Sequence, residues 1–267
     1  MRIATWNVNG LRARLDFLCL WLQSRRPDVV GLQELKMQDD QLPHEALAAV
    51  GYRAFSHGQK SWNGVAILAR DPDAGGPSVE VLRRGLPGQE DFGARLMTAE
   101  ITSDADSLRF TTAYCPNGKH LEHADYARKL AWFDTLAEHV AETESPDEPM
   151  VLCGDINICR EPLDSWNEEN MAGAIFHTDA ERERLARLID WGLVDVFRDR
   201  HPDTQAFSWW DYRGGAFHRK QGLRIDLLLA TRRVAERVSS IEIDREFRKK
   251  QEGLTASDHA PVWMDLD

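Results

Sequence analysis

The chain has 267 residues, 42% hydrophobic and 29% charged, a globular composition with room for one large domain or two small ones. It lacks an apolar leader core or bilayer-spanning run, and Cys19, Cys115, Cys153 and Cys159 show no C-x-x-C pairing; single thiols beside apolar residues suit a reducing cytoplasm better than a disulfide framework or zinc site. A formal net charge of −11 weighs mildly against a polyanionic partner, but clustering of cations on one face is what matters, and short basic groups such as Arg12/Arg14, Arg83/Arg84 and Arg248-Lys249-Lys250 leave that open.

Taken in chain order, strand-like runs are expected at 3–6, 29–33, 65–69, 96–101, 109–114, 151–153, 225–230 and 262–266. Several alternate apolar and polar residues, as half-buried strands do. Helical periodicity is expected over about 11–22, with Leu11, Leu15, Leu18 and Leu22 on one face. It recurs over about 125–141 (Tyr126, Leu130, Phe133, Leu136, Val140) and 179–191 (Leu185, Leu188, Ile189). No Gly/Ser/Pro-rich linker divides the chain, and 71–78 and 142–149 are short enough to be loops. Residues 1–267 are therefore expected to form a single domain. Residues 26–34 and 148–155 share one device: a Pro-marked turn after a helix, then an apolar strand ending in Glu34 or Asp155. The pattern supports an α/β fold with mixed sheets.

Polar clusters sit where these strands end. They are Asn7-Val8-Asn9-Gly10, Gln33-Glu34, Tyr114-Cys115-Pro116-Asn117-Gly118, Gly154-Asp155-Ile156-Asn157, Arg224-Ile225-Asp226 and Ser257-Asp258-His259. Singly, each reads as a turn, a helix cap or a solvated strand face; Asp226 between two apolar residues is usually the last of these. Together they supply carboxylates, amides, a phenol and an imidazole, without a nucleophilic Ser/Cys signature or a Gly-rich phosphate loop. Such an inventory suits metal-assisted hydrolysis of a phosphodiester. Oxygen ligands such as Glu34 with a neighbouring Asn or Asp favour Mg²⁺ or Mn²⁺ over zinc.

The motifs Ile3-Ala4-Thr5-Trp6-Asn7-Val8-Asn9-Gly10-Leu11-Arg12, Pro27-Asp28-Val29-Val30-Gly31-Leu32-Gln33-Glu34, His57-Gly58-Gln59-Lys60 and Gly154-Asp155-Ile156-Asn157 stand in this order. They are followed by Trp191-Gly192-Leu193-Val194-Asp195, Phe207-Ser208-Trp209-Trp210-Asp211-Tyr212-Arg213, Gly222-Leu223-Arg224-Ile225-Asp226 and Ser257 through Trp263. Over essentially its whole length the chain resembles the exonuclease III family of bacterial AP endonucleases, within the exonuclease-endonuclease-phosphatase superfamily. The resemblance implies a four-layer α/β sandwich, two packed mixed β-sheets flanked by helices. It implies a metal-dependent DNA repair nuclease that incises 5′ to abasic sites and trims or cleans 3′ ends, with double-stranded DNA as partner, no membrane, and a monomeric state.

Carried over by position, the resemblance implies that Glu34 is the principal metal ligand with Asn7 beside it, and that Asp258 serves a second metal position. Asp155 activates or aligns the attacking water, with Asn157 holding it. Tyr114 and Asn117 contact phosphate. Asp226 orients His259, which stabilises the phosphate's charge; the adjacent Asp258 is poorly placed for that job, since neighbours in an extended segment face opposite ways. Trp209 and Leu223 line a small apolar pocket for a baseless sugar. Lys60, Arg213 and Arg224, with Arg219 and Lys220, serve DNA phosphates. Two departures from the family pattern stand out. Cys115 replaces a larger apolar residue, and residues 160–178, which resemble a DNA-facing loop, carry Glu168-Glu169 and no lysine. Acids there weaken phosphate binding and shift the balance toward 3′-end trimming. Two alternatives remain: a same-fold phosphoesterase acting on RNA or a small substrate, and a DNA-binding relative without catalysis.

Overall fold

The computed structural model describes residues 1–103 and 106–267. Its strands are β1 (Arg2–Asn7), β2 (Val29–Gln33), β3 (Tyr52–His57), β4 (Val65–Arg70), β5 (Ser78–Arg84), β6 (Leu96–Ser103), β7 (Asp106–Tyr114), β8 (Met150–Asp155), β9 (Leu193–Asp195), β10 (Asp226–Thr231), β11 (Val238–Ile243) and β12 (Val262–Leu266). The helices are α1 (Leu11–Arg25), α2 (His44–Ala49), α3 (Ala124–Thr143), α4 (Glu168–Met171), α5 (Asp179–Trp191), α6 (Val196–Arg200) and α7 (Arg232–Ala235).

The strands form two six-stranded sheets, ordered β11-β12-β1-β2-β4-β3 and β5-β6-β7-β8-β10-β9. In each sheet the third and fourth strands are parallel and the other pairs antiparallel. The orders match position by position, so β1-α1-β2 and β7-α3-β8 are equivalent units in opposed sheets. The repeated turn-strand-carboxylate device is the local trace of this duplication.

Alternation along the strands builds the layers. In β1, Ile3 joins the core between the sheets while Ala4 and Trp6 join the core under α1. In β8, Val151 and Cys153 face the opposite sheet, and Leu152 packs with Phe133 and Leu136 of α3 and Leu185 and Leu188 of α5. The result is helix–sheet–sheet–helix, the four-layer α/β sandwich that the resemblance implied. The sheets approach closely where β2 carries Gly31: a Cβ there would lie 2.7 Å from the Thr112 hydroxyl and 3.0 Å from the Cys153 sulfur. No larger residue fits without spreading the sheets.

The helices bury a broader stripe than periodicity alone marks. In α1, Phe17 and Trp21 join Leu11, Leu18 and Leu22, while Leu15 is only partly buried. In α3, Trp132 and Lys129 are buried, with Tyr126 and Leu130 half-buried. In α5, Glu181 is buried alongside Leu185 and Leu188. The four cysteines are free thiols, and among the described residues no helix is long and apolar enough to cross a membrane.

Candidate active site

Period-2 alternation carries the inter-sheet core to one edge of both sheets, and there it turns polar. Asn7 ends β1, Tyr114 ends β7 and Asp155 ends β8, each continuing its strand's inward-facing row. Asp226 opens β10 directly opposite Asp155. His259 comes just before β12, whose Val262 pairs with Thr5 of β1. Glu34 follows β2 with φ 56°, and Asn157 follows β8 with φ 55°. Backbone held in the left-handed region by non-glycine residues costs on the order of 1 kcal/mol each and gathers at functional sites.

Asn7 is buried at the centre. Its Nδ2 donates to Glu34 Oε1 and to Asp155 Oδ2, both at 2.8 Å, and its Oδ1 accepts the Asn9 N–H at 2.9 Å. Asp155 Oδ1 accepts the Asn157 N–H at 3.2 Å, and Asn157 Nδ2 donates to the Cys115 carbonyl at 3.0 Å. Cys115 is fully buried, so the smaller residue is a packing change beneath this turn.

His259 Nδ1 lies 2.8 Å from Asp226 Oδ2, and its Nε2 lies 3.8 Å from Asp155 Oδ2. Asp226 is itself fixed by the Ser208 hydroxyl at 2.6 Å. Burial disfavours the imidazolium, but the Asp226 carboxylate outweighs it, with Asp155 and Asp258 adding, and the His259 pKa is raised to about 10. Burial pushes Asp155 up to about 8; His259 opposes this while Asp226 and Glu34 add to it. Burial would also raise Glu34, yet hydrogen bonds from Asn7 and Lys36 hold it below its ordinary value. Burial keeps the Tyr114 phenol neutral, and the Arg95 guanidinium lies 4.7 Å over its ring.

Ligand atoms of Glu34, Asp155 and His259 lie within 4.8 Å of one another, forming a group that could hold a metal ion. The anionic oxygens in that set suit a hard divalent cation. Asp258 does not belong to this group. Its oxygens accept from Asn9 Nδ2 at 2.9 Å and Trp209 Nε1 at 3.1 Å, so it braces the site's rim. The side-chain oxygen of Asn7 is likewise taken by Asn9, and Asn7 meets the two carboxylates as a donor.

Trp209 bridges in antiparallel fashion to both Leu223 and His259. Leu223 is buried with Cys159 and Ile225, and Trp209, Phe176 and Met171 pack on that cluster. Phe176 and Met171 were not legible in the sequence, because the one-turn helix α4 and the loop after it are too short to show periodicity. Asn117 and Lys60 are exposed, and Arg213 is exposed and paired with Asp211 at 2.7 Å.

Arg224 requires a correction. It is 1% exposed, with Nε 2.7 Å from Asp164 and Nη2 2.7 Å from Asp195. Its guanidinium locks residues 160–165 onto β9 and β10 and does not face solvent, so it is no phosphate contact. Glu168 also differs from expectation: it pairs with Arg182 at 2.6 Å, leaving Glu169 as the exposed acid of the two.

Residues 4–259 match the model of the Endonuclease/Exonuclease/phosphatase family. The chain belongs to that family. Exodeoxyribonuclease III of Haemophilus influenzae is 34% identical, with all of each chain covered. Among solved structures, the 3′ phosphatase NExo from Neisseria, in a variant bound to product DNA hairpin, is 35% identical with a TM-score of 0.89, covering 100% of this chain and 99% of that one. An AP endonuclease from Archaeoglobus fulgidus is 30% identical with a TM-score of 0.91, at the same coverage. As a member of this family the protein is a hydrolase of phosphodiester bonds.

Proposed function

We propose that the protein is a divalent-metal-dependent DNA repair phosphodiesterase that incises 5′ to abasic sites and trims or cleans 3′ ends of duplex DNA. The observation that carries this reading is the hydrogen-bonded chain Glu34–Asn7–Asp155, with Asp155 facing the Asp226–His259 pair across less than 4 Å.

Each residue's role follows from its surroundings. Asp155, with its raised proton affinity, accepts the proton of the attacking water; Asn7 and the Asn157 N–H aim it. His259, kept cationic by Asp226, neutralises charge on the phosphate. Tyr114, neutral at physiological pH, donates a hydrogen bond to a phosphate oxygen, and Asn117 contacts the next stretch of backbone. Glu34 is the principal holder of Mg²⁺ or Mn²⁺, which when bound neutralises negative charge around the scissile phosphate. Trp209, Leu223 and Phe176 offer a baseless sugar an apolar wall, and Lys60 and Arg213 engage DNA phosphates at the periphery. The protein works as a monomer in the cytoplasm.

A second reading, 3′-end processing with weak abasic incision, draws support from the 35% identity to NExo. Cleavage of a duplex carrying one abasic analogue, beside an intact recessed-end duplex, separates the two. Mg²⁺-dependent incision 5′ to the analogue supports the first; 3′ trimming alone supports the second. Neither product would refute both.

A further inference from the structure

Lys129 is a lysine with no exposed surface, in the second turn of α3, and Glu181, its partner at 2.5 Å, is equally buried. Neither hydrogen-bonds to Glu34, Asp155 or His259. A capping-box glutamate normally stands at a helix start in solvent. Here Glu181 caps α5, with Oε2 accepting from the Thr178 N–H at 3.1 Å and hydroxyl at 2.9 Å, while Oε1 accepts both from Lys129 and from the Phe176 N–H at 3.1 Å. The ammonium has further acceptors: the Asn157 carbonyl at 2.8 Å and the Asn117 carbonyl at 3.4 Å. The Phe176 ring lies 4.9 Å from it.

Stability alone does not explain this pair. Two buried charges of opposite sign are frequently no better than two apolar side chains of the same volume. What the pair supplies, and an apolar pair could not, is a set of donors and acceptors reaching three separate turns. One carries Asn157 in left-handed backbone just after Asp155, one carries Asn117, and one carries Phe176, whose φ is also positive at 73°. Each turn is held at a backbone atom, which fixes position without depending on the side chain.

We infer that Lys129 is a positioning residue. Its ammonium fixes the Asp155–Asn157 turn against the Asn117 loop and, through Glu181, registers both against Phe176 at the apolar wall. The inference rests on the roles proposed above for Asp155, Asn157 and Asn117. It couples the part of the site that performs hydrolysis to the part that accepts the sugar. Placement errors of about 1 Å at reacting groups cost on the order of a hundredfold in rate.

The test replaces the pair with a neutral one of similar volume, Lys129→Met with Glu181→Gln, in the full chain with Mg²⁺ present. Glutamine can still accept the Phe176 N–H through its one oxygen, at the expense of the Thr178 N–H, which loses its acceptor and costs stability, whereas methionine donates nothing to Asn157 or Asn117. The expected result is a roughly ten- to hundredfold fall in kcat for 3′-nucleotide removal, with KM changed by less than about threefold. A purely structural pair would shift the melting temperature and leave kcat intact well below it; a folded double variant with wild-type kcat overturns the inference. Glu181→Asp is the second variant and decides if the first does not fold. It keeps both charges paired and draws the ammonium away from Asn157 by one methylene, with kcat expected to fall roughly three- to tenfold. Unchanged kcat there overturns the inference as well. Asp155→Asn, assayed in parallel, tests the site itself: retained turnover in that variant means that the proposed roles fail, not merely the role of Lys129.

Discussion

Replacing Arg224 with methionine removes four charge-assisted hydrogen bonds from the interior. Nε and Nη2 donate to Asp164 at 2.7 and 3.0 Å, and Nη1 and Nη2 donate to Asp195 at 3.0 and 2.7 Å. Asp164 keeps Arg198 Nη2 at 2.6 Å. Asp195 keeps only the Arg198 N–H at 3.3 Å and a distant Arg160 at 3.8 Å, so the penalty falls mostly on Asp195. Breaking a buried pair from one side costs about 3–5 kcal/mol. With about 2–4 °C per kcal/mol for a domain of this size, the melting temperature should fall by roughly 10 °C. Calorimetry at neutral pH reads this directly. Burial raises Asp195, but Arg224 outweighs it and holds the carboxyl below 3.8. Its stabilisation is therefore present above the ordinary carboxylate value and is lost as pH falls through the folded-state value, and Arg224→Met should flatten that acid limb. DNA affinity measured against salt should keep its wild-type slope. An unchanged melting temperature with a salt slope smaller by about 1 would refute the reasoning and return Arg224 to the DNA face.

In the metal-free protein, Asp226→Asn removes the carboxylate that outweighs burial. The His259 midpoint, followed by its ring proton shifts, should then drop from about 10 toward the ordinary range, with Asp155 and Asp258 still opposing burial. Wild-type His259 stabilises the fold fully below that ordinary value and loses the contribution as pH rises through the folded one, so the variant should lose this alkaline dependence. Asn7→Ala leaves Glu34 and Asp155 facing each other without their shared donor and the Asn9 N–H without its acceptor; the melting temperature should fall, and kcat measured well below it should fall by on the order of a hundredfold. Trp209→Ala should raise KM for an abasic duplex more than for a recessed end, since the indole borders the apolar wall and its Nε1 braces Asp258. Equal effects on both substrates would argue against a pocket there.

Much of the fold was legible because the central strands are buried on both faces. The strands that periodicity missed, β3, β5, β9 and β11, are the outermost strands of the two sheets. An edge strand packs against fewer neighbours and carries charge to discourage further pairing, so its alternation is diluted; β5 is Ser-Val-Glu-Val-Leu-Arg-Arg, mostly exposed. The site was legible for a related reason, since its polar residues sit where apolar rows stop. Asp226 shows the limit of local reading. Between two apolar residues it suggested a solvated face, yet both sheet faces are covered and it points into the site. Arg224 was misjudged because a run of basic residues along the chain says nothing about which side chain turns inward. Lys129 left no mark at all, because a lysine within a helix ordinarily lies on its wet face.

In the proposed function Glu34, Asn7, Asp155, Asp226 and His259 act as one metal-dependent hydrolytic centre. Its most direct test is the rate of phosphodiester cleavage on duplex DNA across a Mg²⁺ titration, for the wild type, Glu34→Gln and Asp155→Asn. The expected result is no turnover without metal, a higher Mg²⁺ requirement in Glu34→Gln, and no turnover at any Mg²⁺ concentration in a folded Asp155→Asn protein. Metal-independent cleavage, or full activity in Asp155→Asn, would contradict it.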